Sequence, residues 1–557
     1  MNLIIFLSSY FTIILSLIGY SLAFKSFFKK KTDLEFEFCL LGAIFFWIVI
    51  SLFTHFFISH NLIHNGVILI LGIISFIIMF NKNKKLIINY YTFILIIFVI
   101  LIFGLLAAKT HDDFPYYHFP YTYYLTQENL IIGMGNLNHG FRTPSSLFYL
   151  NSLFYLPYIK YFSFNIGATL FFGISNLILI FKLVKDLKNK NYDFIFFLTL
   201  LSFLFINTFF YRISEHGTDR SAQILILILF IEIFSLLRKK IIYQNFFSKI
   251  FILLGLIISL KAFYVLYLLT LIPIFFILKN ENIINLFKSF CKNFYFYLFV
   301  FVGSFLIIIN IFNTGCILYP VEFTCFQNFD WSLKGEAKLM NNWYEQWSKA
   351  GAGPNYRVEN PEEYIQGFNW VGNWIDKYFF NKVSDFLAGI IFLLAVVYSF
   401  FYNQNKKKIK IDKKILGILA IISILFIEWF YNHPSLRYGG YSLIALIFFI
   451  PFSINISSFS PKKNLKNIII ILTTFALIIF IGRNINRINS EINRFEYNFF
   501  NNPNYVIKED YFRINNFMKE IKQQYQNCKN KNDINCGIYK GIKLEKKNNY
   551  FFLSGKK

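Results

Sequence analysis

Long uninterrupted apolar runs are the feature that most restricts how this chain can fold. Two of them, FILIIFVILIFGLLAA at 93–108 and IIIILTTFALIIFIG at 468–482, are long enough to cross bilayer hydrocarbon as helices. Hydrophobic residues make up 56% of the 557 residues, which is more than a soluble chain of this length carries. Barrel strands would be shorter and would alternate in polarity. The sequence therefore predicts an all-α, polytopic helical membrane protein.

The basic residues cluster in short connections between the apolar runs, and the positive-inside rule places those connections in the cytoplasm. The net charge of +25 then reflects topology and predicts no nucleic-acid partner. About fourteen spans satisfy this alternation, provided that residues 144–160 lie on the membrane instead of crossing it. Both the N-terminus and the C-terminal tail are then external. The basic connections are 25–31, 81–85, 182–190, 238–240, 279–293, 403–414 and 461–467.

The predicted organisation is a transmembrane domain over 1–482 and a polar C-terminal tail or small external domain over 483–557. External loops at 109–160 and 313–383 are expected to pack as a small subdomain. The second loop holds five of the seven tryptophans, and indole rings favour the membrane interface. We therefore expect an interfacial belt, with stacking on sugars as the alternative. These residues are Trp331, Trp343, Trp347, Trp370 and Trp374.

Four of the six cysteines fall in segments predicted to be external, where disulfides persist. Two short-range pairings, or four separate thiols, are compatible with their positions. Cys39 and Cys291 lie on or near the cytoplasmic side and should remain thiols. The two candidate pairs are Cys316 with Cys325, and Cys528 with Cys536.

Ionisable residues recur at the external ends of the predicted helices. The first large external loop begins with HDDFPYYHFPYTYYL at 111–125, which places two adjacent acids, Asp112 and Asp113, where a helix leaves the bilayer. Charges near the membrane are costly and tend to mark function, although solvation among lipid headgroups is the alternative for any single turn. The others on this face are His118, Arg142, Glu215, His216, Asp219, Arg220, Lys261 and Arg437.

These residue types fit a displacement at a lipid-linked phosphate. A carboxylate can accept the proton of an attacking hydroxyl, or it can hold a divalent cation such as Mg or Mn. Arg437, Lys261 and Arg220 can bind a phosphate, and arginine does so through its two-pronged guanidinium. Such a clamp stabilises a leaving phosphate. Metal dependence remains open, with Asp112 and Asp113 as the candidate ligands.

The pattern HDDFPYYHFPYTYYLTQENLIIGMGNLNHGFRTPSSLFYLNSLF resembles the GT-C superfamily of integral membrane glycosyltransferases, which use polyprenyl-phosphate-linked sugars. It looks like the D-x-YH-x-P, G-x-x-N and S-x-x-F arrangement of uncharacterised bacterial members. GCILYPVEFTCF and PSLRYGGYSL also look like segments of that group, so the resemblance spans about 100–450. One departure is that about four spans precede the acidic loop, whereas one does so in better-known members.

The resemblance implies a catalytic base or metal ligand at Asp112 or Asp113, and Asp113 matches the pattern better. It also implies an assisting acid at Glu215 or Asp219. The expected function is transfer of a sugar from a polyprenyl-phosphate carrier to a glycan, lipid or protein acceptor. The expected place is the external, periplasmic face of a bacterial inner membrane. The implied substrate-binding residues are His118, Arg142, His216, Arg220, Lys261 and Arg437.

Two other functions are compatible with the sequence. A transporter or flippase of lipid-linked saccharides places ionisable groups near the bilayer midplane or breaks its helices there. Lys261, between two short helices, and Glu428, in ILFIEWFYN, are the features that favour it. An O-antigen-type polymerase also suits large Trp-rich external loops.

Overall fold

The computed structural model describes residues 2–28, 34–213, 217–238, 243–278, 283–353, 358–406, 412–529 and 538–555. The described residues form a nearly all-α structure, as the apolar runs predict. The α-helices are α1 Leu3–Phe28, α2 Phe36–Thr54, α3 Leu62–Phe80, α4 Lys84–Leu106, α5 Phe119–Gln127, α6 Ser146–Ser152, α7 Ile166–Asn189, α8 Phe194–Phe209, α9 Gly217–Ser235, α10 Tyr243–Leu260, α11 Leu271–Ile277, α12 Ile283–Cys291, α13 Phe294–Thr314, α14 Lys334–Lys349, α15 Pro361–Ile365, α16 Val371–Trp374, α17 Ser384–Phe401, α18 Lys413–Asn432, α19 Gly440–Ser457, α20 Leu465–Phe495 and α21 Arg513–Lys529.

Short 3₁₀ and π helices connect many of these elements. The π-helical segments are Phe114–His118 and Ile375–Val383. The 3₁₀ segments are Asn81–Asn83, Met134–Asn136, His139–Phe141, Lys160–Ser163, Ala262–Thr270, Glu322–Thr324, Leu436–Tyr438 and Glu509–Phe512.

Among the described residues, ten helices are long and apolar enough to cross a membrane. Three shorter apolar helices, Tyr90–Leu106, Phe194–Phe209 and Ala262–Ile277, accompany them. By the length and composition of these helices the chain is a multi-pass membrane protein. Helix α9 is as long as several of the ten but carries Asp219, Arg220 and Glu232. The count of fourteen spans stays a prediction.

Helix α9 lies at the centre of the bundle. From Thr218 to Phe234 every residue except Arg220 is buried, so the helix is enclosed on all sides. A helix that is apolar around its whole circumference is typical of such a position. Helices α7, α8, α10 and α19 pack against α9. The acidic first turn of α9 is therefore held within the protein.

The C-terminal residues form a small folded unit on the loop 109–160. Helix α20 runs through Gly482 to Phe495, so the domain boundary predicted at 482 falls inside a helix. Beyond α21, the strands β2 Ile538–Tyr539, β3 Ile542–Lys547 and β4 Tyr550–Gly555 form a sheet. Its fourth strand is β1, Ile131–Ile132, which pairs in parallel with β4. The loop and the C-terminal unit thus share one sheet.

The Trp-rich loop 313–383 is folded around helices α14 to α16. Cys316 and Cys325 form a disulfide at its start. Trp370 and Trp374 are buried, and the Trp374 indole donates a hydrogen bond to the Pro434 carbonyl at 2.9 Å. These two rings therefore pack inside the protein instead of forming a belt at its surface. Cys528 is disulfide-bonded, and Cys536 lies outside the described residues.

Candidate functional site

Four charged side chains from four separate segments meet in one ion cluster. Nη2 of Arg437 lies 2.6 Å from Oδ2 of Asp113, and Nε of the same guanidinium lies 2.9 Å from Oδ2 of Asp219. The ammonium of Lys261 pairs with the other oxygen of Asp219. The charges therefore alternate along the series Lys261, Asp219, Arg437, Asp113. We call these four residues the outer cluster.

Both acids of the outer cluster stand at helix N-termini. Asp113 directly precedes the π-helical turn Phe114–His118, and Asp219 lies in the first turn of α9. Backbone N–H groups give this end of a helix a partial positive charge, which stabilises carboxylates. The local folding of the two segments thus favours the ionised form of both acids.

Lys261 projects from a break between two helices. Helix α10 ends at Leu260, Lys261 is extended with φ −158° and ψ 122°, and a 3₁₀ helix follows. The break leaves helix-end carbonyls that need donors. The hydroxyl of Ser145 donates to the Leu260 carbonyl at 2.6 Å, and that of Ser146 donates to Ser259 at 2.9 Å. The loop 109–160 therefore fixes the break.

Arg437 lies on a short 3₁₀ turn that α9 holds in place. The amide of Gln223, one helical turn after Asp219, donates to the Arg437 carbonyl at 3.0 Å and accepts from Ser442 N–H at 3.2 Å. Gly439 ends the turn with φ +111°, where a side chain would be strained. Sequence reasoning missed Gln223. Its signal was a lone amide, four residues after Asp219, in an otherwise apolar run.

The outer cluster is buried but reachable from outside. The side chain of Asp219 is 2% exposed, whereas that of Asp113 is 25% and that of Arg437 is 19% exposed. Burial alone would raise the pKa of Asp113, but the His111 hydrogen bond and the Arg437 charge outweigh it and hold that pKa well below its ordinary value. Burial would lower the pKa of Arg437, and the two carboxylates instead raise it. Asp113 is therefore a carboxylate at neutral pH, held by a guanidinium.

Aromatic rings enclose the cations of the outer cluster. The Arg437 guanidinium lies 5.8 Å from the ring centres of both Trp347 and Tyr438, and the Lys261 ammonium lies 4.4 Å from Tyr438. Trp347 belongs to α14, so the Trp-rich loop contributes to the site. Cation–π contacts of this kind hold a cation without neutralising its charge. The cations thus keep their capacity to bind an anion.

Three buried polar atoms around the outer cluster have no hydrogen-bond partner among the described residues. They are the Tyr264 hydroxyl, Nδ1 of His433 and Nη1 of Arg220. The central carbon of the Arg220 guanidinium lies 4.1 Å from the centre of the Tyr441 ring. Buried groups of this kind normally have partners, so each needs an explanation, and a bound ligand would supply one.

Of the other predicted residues, Asp112 and His118 lie outside the outer cluster. Asp112 is exposed. His118 packs 4.4 Å from the Tyr117 ring and 4.9 Å from Phe148, and burial lowers its pKa to about 4, so the imidazole is neutral at pH 7. Glu215 and His216 lie outside the described residues.

Arg142 connects the loops 109–160 and 313–383. Its Nη2 lies 2.6 Å from a Glu336 carboxylate oxygen, its Nη1 donates to the Tyr319 hydroxyl at 2.8 Å, and its Nε donates to the Gly135 carbonyl at 3.2 Å. Each nitrogen of the guanidinium therefore has a partner within the protein. These contacts attach the guanidinium to the loop 313–383, and its predicted role in substrate binding stays a prediction.

Within the described ranges, no group of three or more His, Cys, Asp or Glu side chains is placed to hold a metal ion. Asp113 and Asp219 each face a cation, and Arg437 lies between them. A divalent cation prefers several free oxygen ligands. These donors therefore do not fit a resident divalent cation.

The part of the chain that contains the outer cluster matches a known protein family. Residues 1–444 match the family described as "Domain of unknown function (DUF8201)". All four residues of the outer cluster lie in the matched part, and α20, α21 and the β3–β4 hairpin lie beyond it. No curated protein and no solved structure matches the chain.

Proposed function

We propose that this chain, which belongs to that family of unknown function, is a membrane glycosyltransferase. It would move a sugar from a polyprenyl-phosphate carrier to an acceptor hydroxyl. The observation that carries the proposal is the outer cluster, in which a reachable carboxylate and two cations stand together at the ends of membrane helices. A base beside a phosphate clamp is the arrangement that this displacement requires.

In the proposed step, the acceptor O–H loses its proton to Asp113. The acceptor oxygen forms a bond to the anomeric carbon, and the bond between that carbon and the phosphate oxygen breaks. The electron pair of the broken bond leaves with the polyprenyl phosphate. Arg437 and Lys261 stabilise the charge that develops on this leaving group.

Arg437 couples donor binding to the basicity of Asp113. Without donor, the guanidinium holds Asp113 at 2.6 Å and contributes to its low pKa. A donor phosphate competes with Asp113 for the same guanidinium. The positive charge of Arg437, which lowers the pKa of Asp113, is then shared with the phosphate. The pKa of Asp113 therefore rises, and the carboxylate becomes a stronger base when the donor is in place. Asp219, which is 2% exposed, anchors both cations throughout.

The proposal places this chemistry on the external face of a bacterial inner membrane. The Cys316–Cys325 disulfide lies in the Trp-rich loop, and Trp347 of the same loop lies against Arg437. Disulfides persist in the oxidising space outside the cytoplasm. This supports an external position for the loop and for the site beneath it.

The decisive experiment compares Asp113→Asn with Asp112→Asn. The purified protein in nanodiscs is mixed with synthetic polyprenyl phosphates that carry radiolabelled hexoses or pentoses. Saccharides and water serve as acceptors. The label that appears in the aqueous phase measures sugar transfer. Loss of a general base lowers the rate by about 10²- to 10⁴-fold, so we expect this for Asp113→Asn. Asp112→Asn should stay near wild type because Asp112 is exposed outside the cluster.

Two results would overturn the proposal. One is wild-type protein that releases sugar from no donor of the panel. The other is full activity of Asp113→Asn. If Asp113→Asn is active and Asp112→Asn is inactive, the base is Asp112, and proton transfer to Asp113 is refuted.

One observation favours the second candidate, a flippase of lipid-linked saccharides. The break at Lys261 makes α10 and the following 3₁₀ helix a discontinuous pair, a feature that transporters use at binding sites. Liposomes that contain the protein and a fluorescent polyprenyl-phosphate sugar, but no acceptor, separate the two functions. Movement of the label across the bilayer without sugar release would support the flippase.

A further inference from the structure

We infer that a cavity beside the outer cluster is the acceptor site and that it takes an anionic saccharide; this inference rests on the proposed function. The cavity measures about 610 Å³ and lies between the first external loop and the C-terminal unit. The loop contributes Tyr116 and the segment 135–142, and the C-terminal unit contributes α21 and Lys540. Pockets of this volume suit ligands of one to a few sugar rings.

Tyr116 joins the cavity to the reaction centre. It lies three residues after Asp113, in the π-helical turn that Asp113 precedes, and its hydroxyl is hydrogen-bonded to Nδ1 of His139 at 2.8 Å. Burial raises the pKa of Tyr116, the Arg513 and Arg142 charges oppose that rise, and Asp113 adds to it. The cations of the cavity and the carboxylate of the outer cluster thus act on one hydroxyl. An acceptor held here can present a hydroxyl towards Asp113.

The charges of the cavity wall define the class of acceptor. Arg513 begins α21, is exposed, and makes no ion pair or hydrogen bond in the described part of the chain. Lys540 lies 3.8 Å from Glu520, a long and exposed contact. Two cations therefore face one acid on this wall. A guanidinium free to form a two-pronged contact favours a carboxylate or a phosphate.

The remaining lining suits a saccharide. The Phe517 ring borders the cavity opposite Tyr116, and apolar ring faces pack well against the C–H faces of sugars. His139 and Glu520 supply polar atoms that can bind hydroxyl groups. Aromatic rings, a few polar groups and an unpaired arginine together describe a site for a polyhydroxylated, negatively charged molecule.

The cavity wall is firmly attached to the loop. Asn515 of α21 donates to the Pro120 carbonyl at 3.0 Å, and Lys522 pairs with Glu128 at 2.6 Å. The parallel pairing of β1 with β4 adds a third connection. A site that is already formed binds its ligand without ordering cost. This wall lies outside the family match, which ends at residue 444, whereas the outer cluster lies within it.

The test is direct binding to the full-length protein in nanodiscs, measured by calorimetry. The probes are oligogalacturonates, saccharide phosphates, and neutral maltooligosaccharides of the same length. We expect one of the two anionic probes to bind about tenfold or more tightly than the neutral one, since a charge-assisted contact is lost in the latter. The stronger anionic probe then distinguishes carboxylate from phosphate. Equal affinity for the charged and neutral probes would overturn the inference.

Variants assign the binding to the cavity. Arg513→Gln should weaken the anionic probe by about tenfold, and Arg513→Lys should restore part of the loss. Lys519→Gln, on the same helix but outside the cavity lining, is the matched control and should bind like wild type. Unchanged binding by folded Arg513→Gln would place the anion elsewhere and refute the site.

Asp113→Asn separates this inference from the proposed function. The variant should bind the anionic saccharide as wild type does while it fails in transfer. If the wild-type protein binds the saccharide but transfers no sugar, the glycosyltransferase proposal fails and the binding site stands as a saccharide site. If it transfers sugar and Arg513→Gln changes neither binding nor transfer, the cavity assignment fails and the function stands.

Discussion

Helix α9 carries a paired carboxylate at each end, and the two ends differ in what surrounds the pair. Asp219 in the first turn and Glu232 in the last turns lie about 20 Å apart along the helix axis. Each contacts two cations and is almost fully buried, with 2% and 4% of the side chain exposed. The same ionic unit therefore occurs twice on one helix.

At the inner end both oxygens of the Glu232 carboxylate are paired, and these pairs connect three helices. One carboxylate oxygen of Glu232 lies 2.7 Å from Lys182 of α7, and the other lies 3.1 Å from Lys249 of α10. Lys182 also donates to Ser235 at 2.8 Å. Nearby, Arg238 binds Asp186 of α7 at 2.8 Å, which adds a second connection between α7 and the end of α9. This end holds the bundle together.

At the outer end the cations come from a helix break and a loop. Asp113 and Arg437 remain partly exposed, and buried polar atoms of Tyr264 and Arg220 lack partners in the described part of the chain. Stability alone does not require such groups. The contrast supports the proposal that the inner end serves stability and that the outer end serves binding and chemistry.

The largest effect should come from Glu232→Gln. Removing the acid leaves Lys182 without a carboxylate partner and leaves Lys249 with Glu35 alone, which costs roughly 3–5 kcal/mol in the free energy of unfolding. Activity per folded molecule should not change. Denaturant titration in detergent measures the loss. Asp330→Asn is the control, because that acid is 71% exposed and its ion pair contributes about 0–1 kcal/mol. If both variants unfold alike, the inner cluster does not stabilise the bundle.

Arg437→Gln should produce the reverse result, with a large loss of activity and a small loss of stability. Removal of a charge-stabilising donor lowers kcat by about 10²- to 10³-fold. Asp219 keeps Lys261 as a partner and Asp113 can reach solvent, so the unfolding free energy should fall by less than in Glu232→Gln. Radiolabel transfer and denaturant titration give the two values.

Arg437→Lys sharpens this comparison. It keeps the charge but not the fork that spans Asp113 and Asp219, so part of the activity should return. If either Arg437 variant loses as much stability as Glu232→Gln while its activity per folded molecule stays intact, the outer cluster is structural too.

The members of the outer cluster were predictable because charge is rare in this chain. Asp113, Asp219, Lys261 and Arg437 interrupt apolar runs at alternating connections, and alternation alone assigns them to one face. The pairing was not predictable. Which cation meets which acid depends on how four helices pack, and no local pattern records that.

Two further features depend on tertiary contacts and escaped the sequence. Asp112 and Asp113 are equivalent in composition, but adjacent residues on a helical turn point about 100° apart, so only packing decides which one meets Arg437. Strand β1 has two residues, too few for an alternating pattern, and its partner β4 lies more than four hundred residues later. The C-terminal segment therefore read as a polar tail or small domain with no visible connection to the site.

The smallest effect should come from His111→Ala and should appear only in the pH profile. Nδ1 of His111 lies 3.2 Å from Oδ2 of Asp113. Burial raises the pKa of Asp113, and the His111 hydrogen bond is the largest of the effects that lower it. Without His111 that pKa rises. Because the carboxylate is the active form and is lost as pH falls through the pKa, the acidic limb of kcat/KM should move to higher pH. At pH 7 the carboxylate remains ionised, so the rate should change by less than about threefold.

Asp112→Asn, which alters a neighbouring charge without touching this hydrogen bond, is the control and should leave the limb where it is in wild type. An acidic limb that stays in place in His111→Ala, or that moves to lower pH, would show that Asp113 is not the titrating base. The difference between the two ends of α9 would then concern ligand binding without proton transfer.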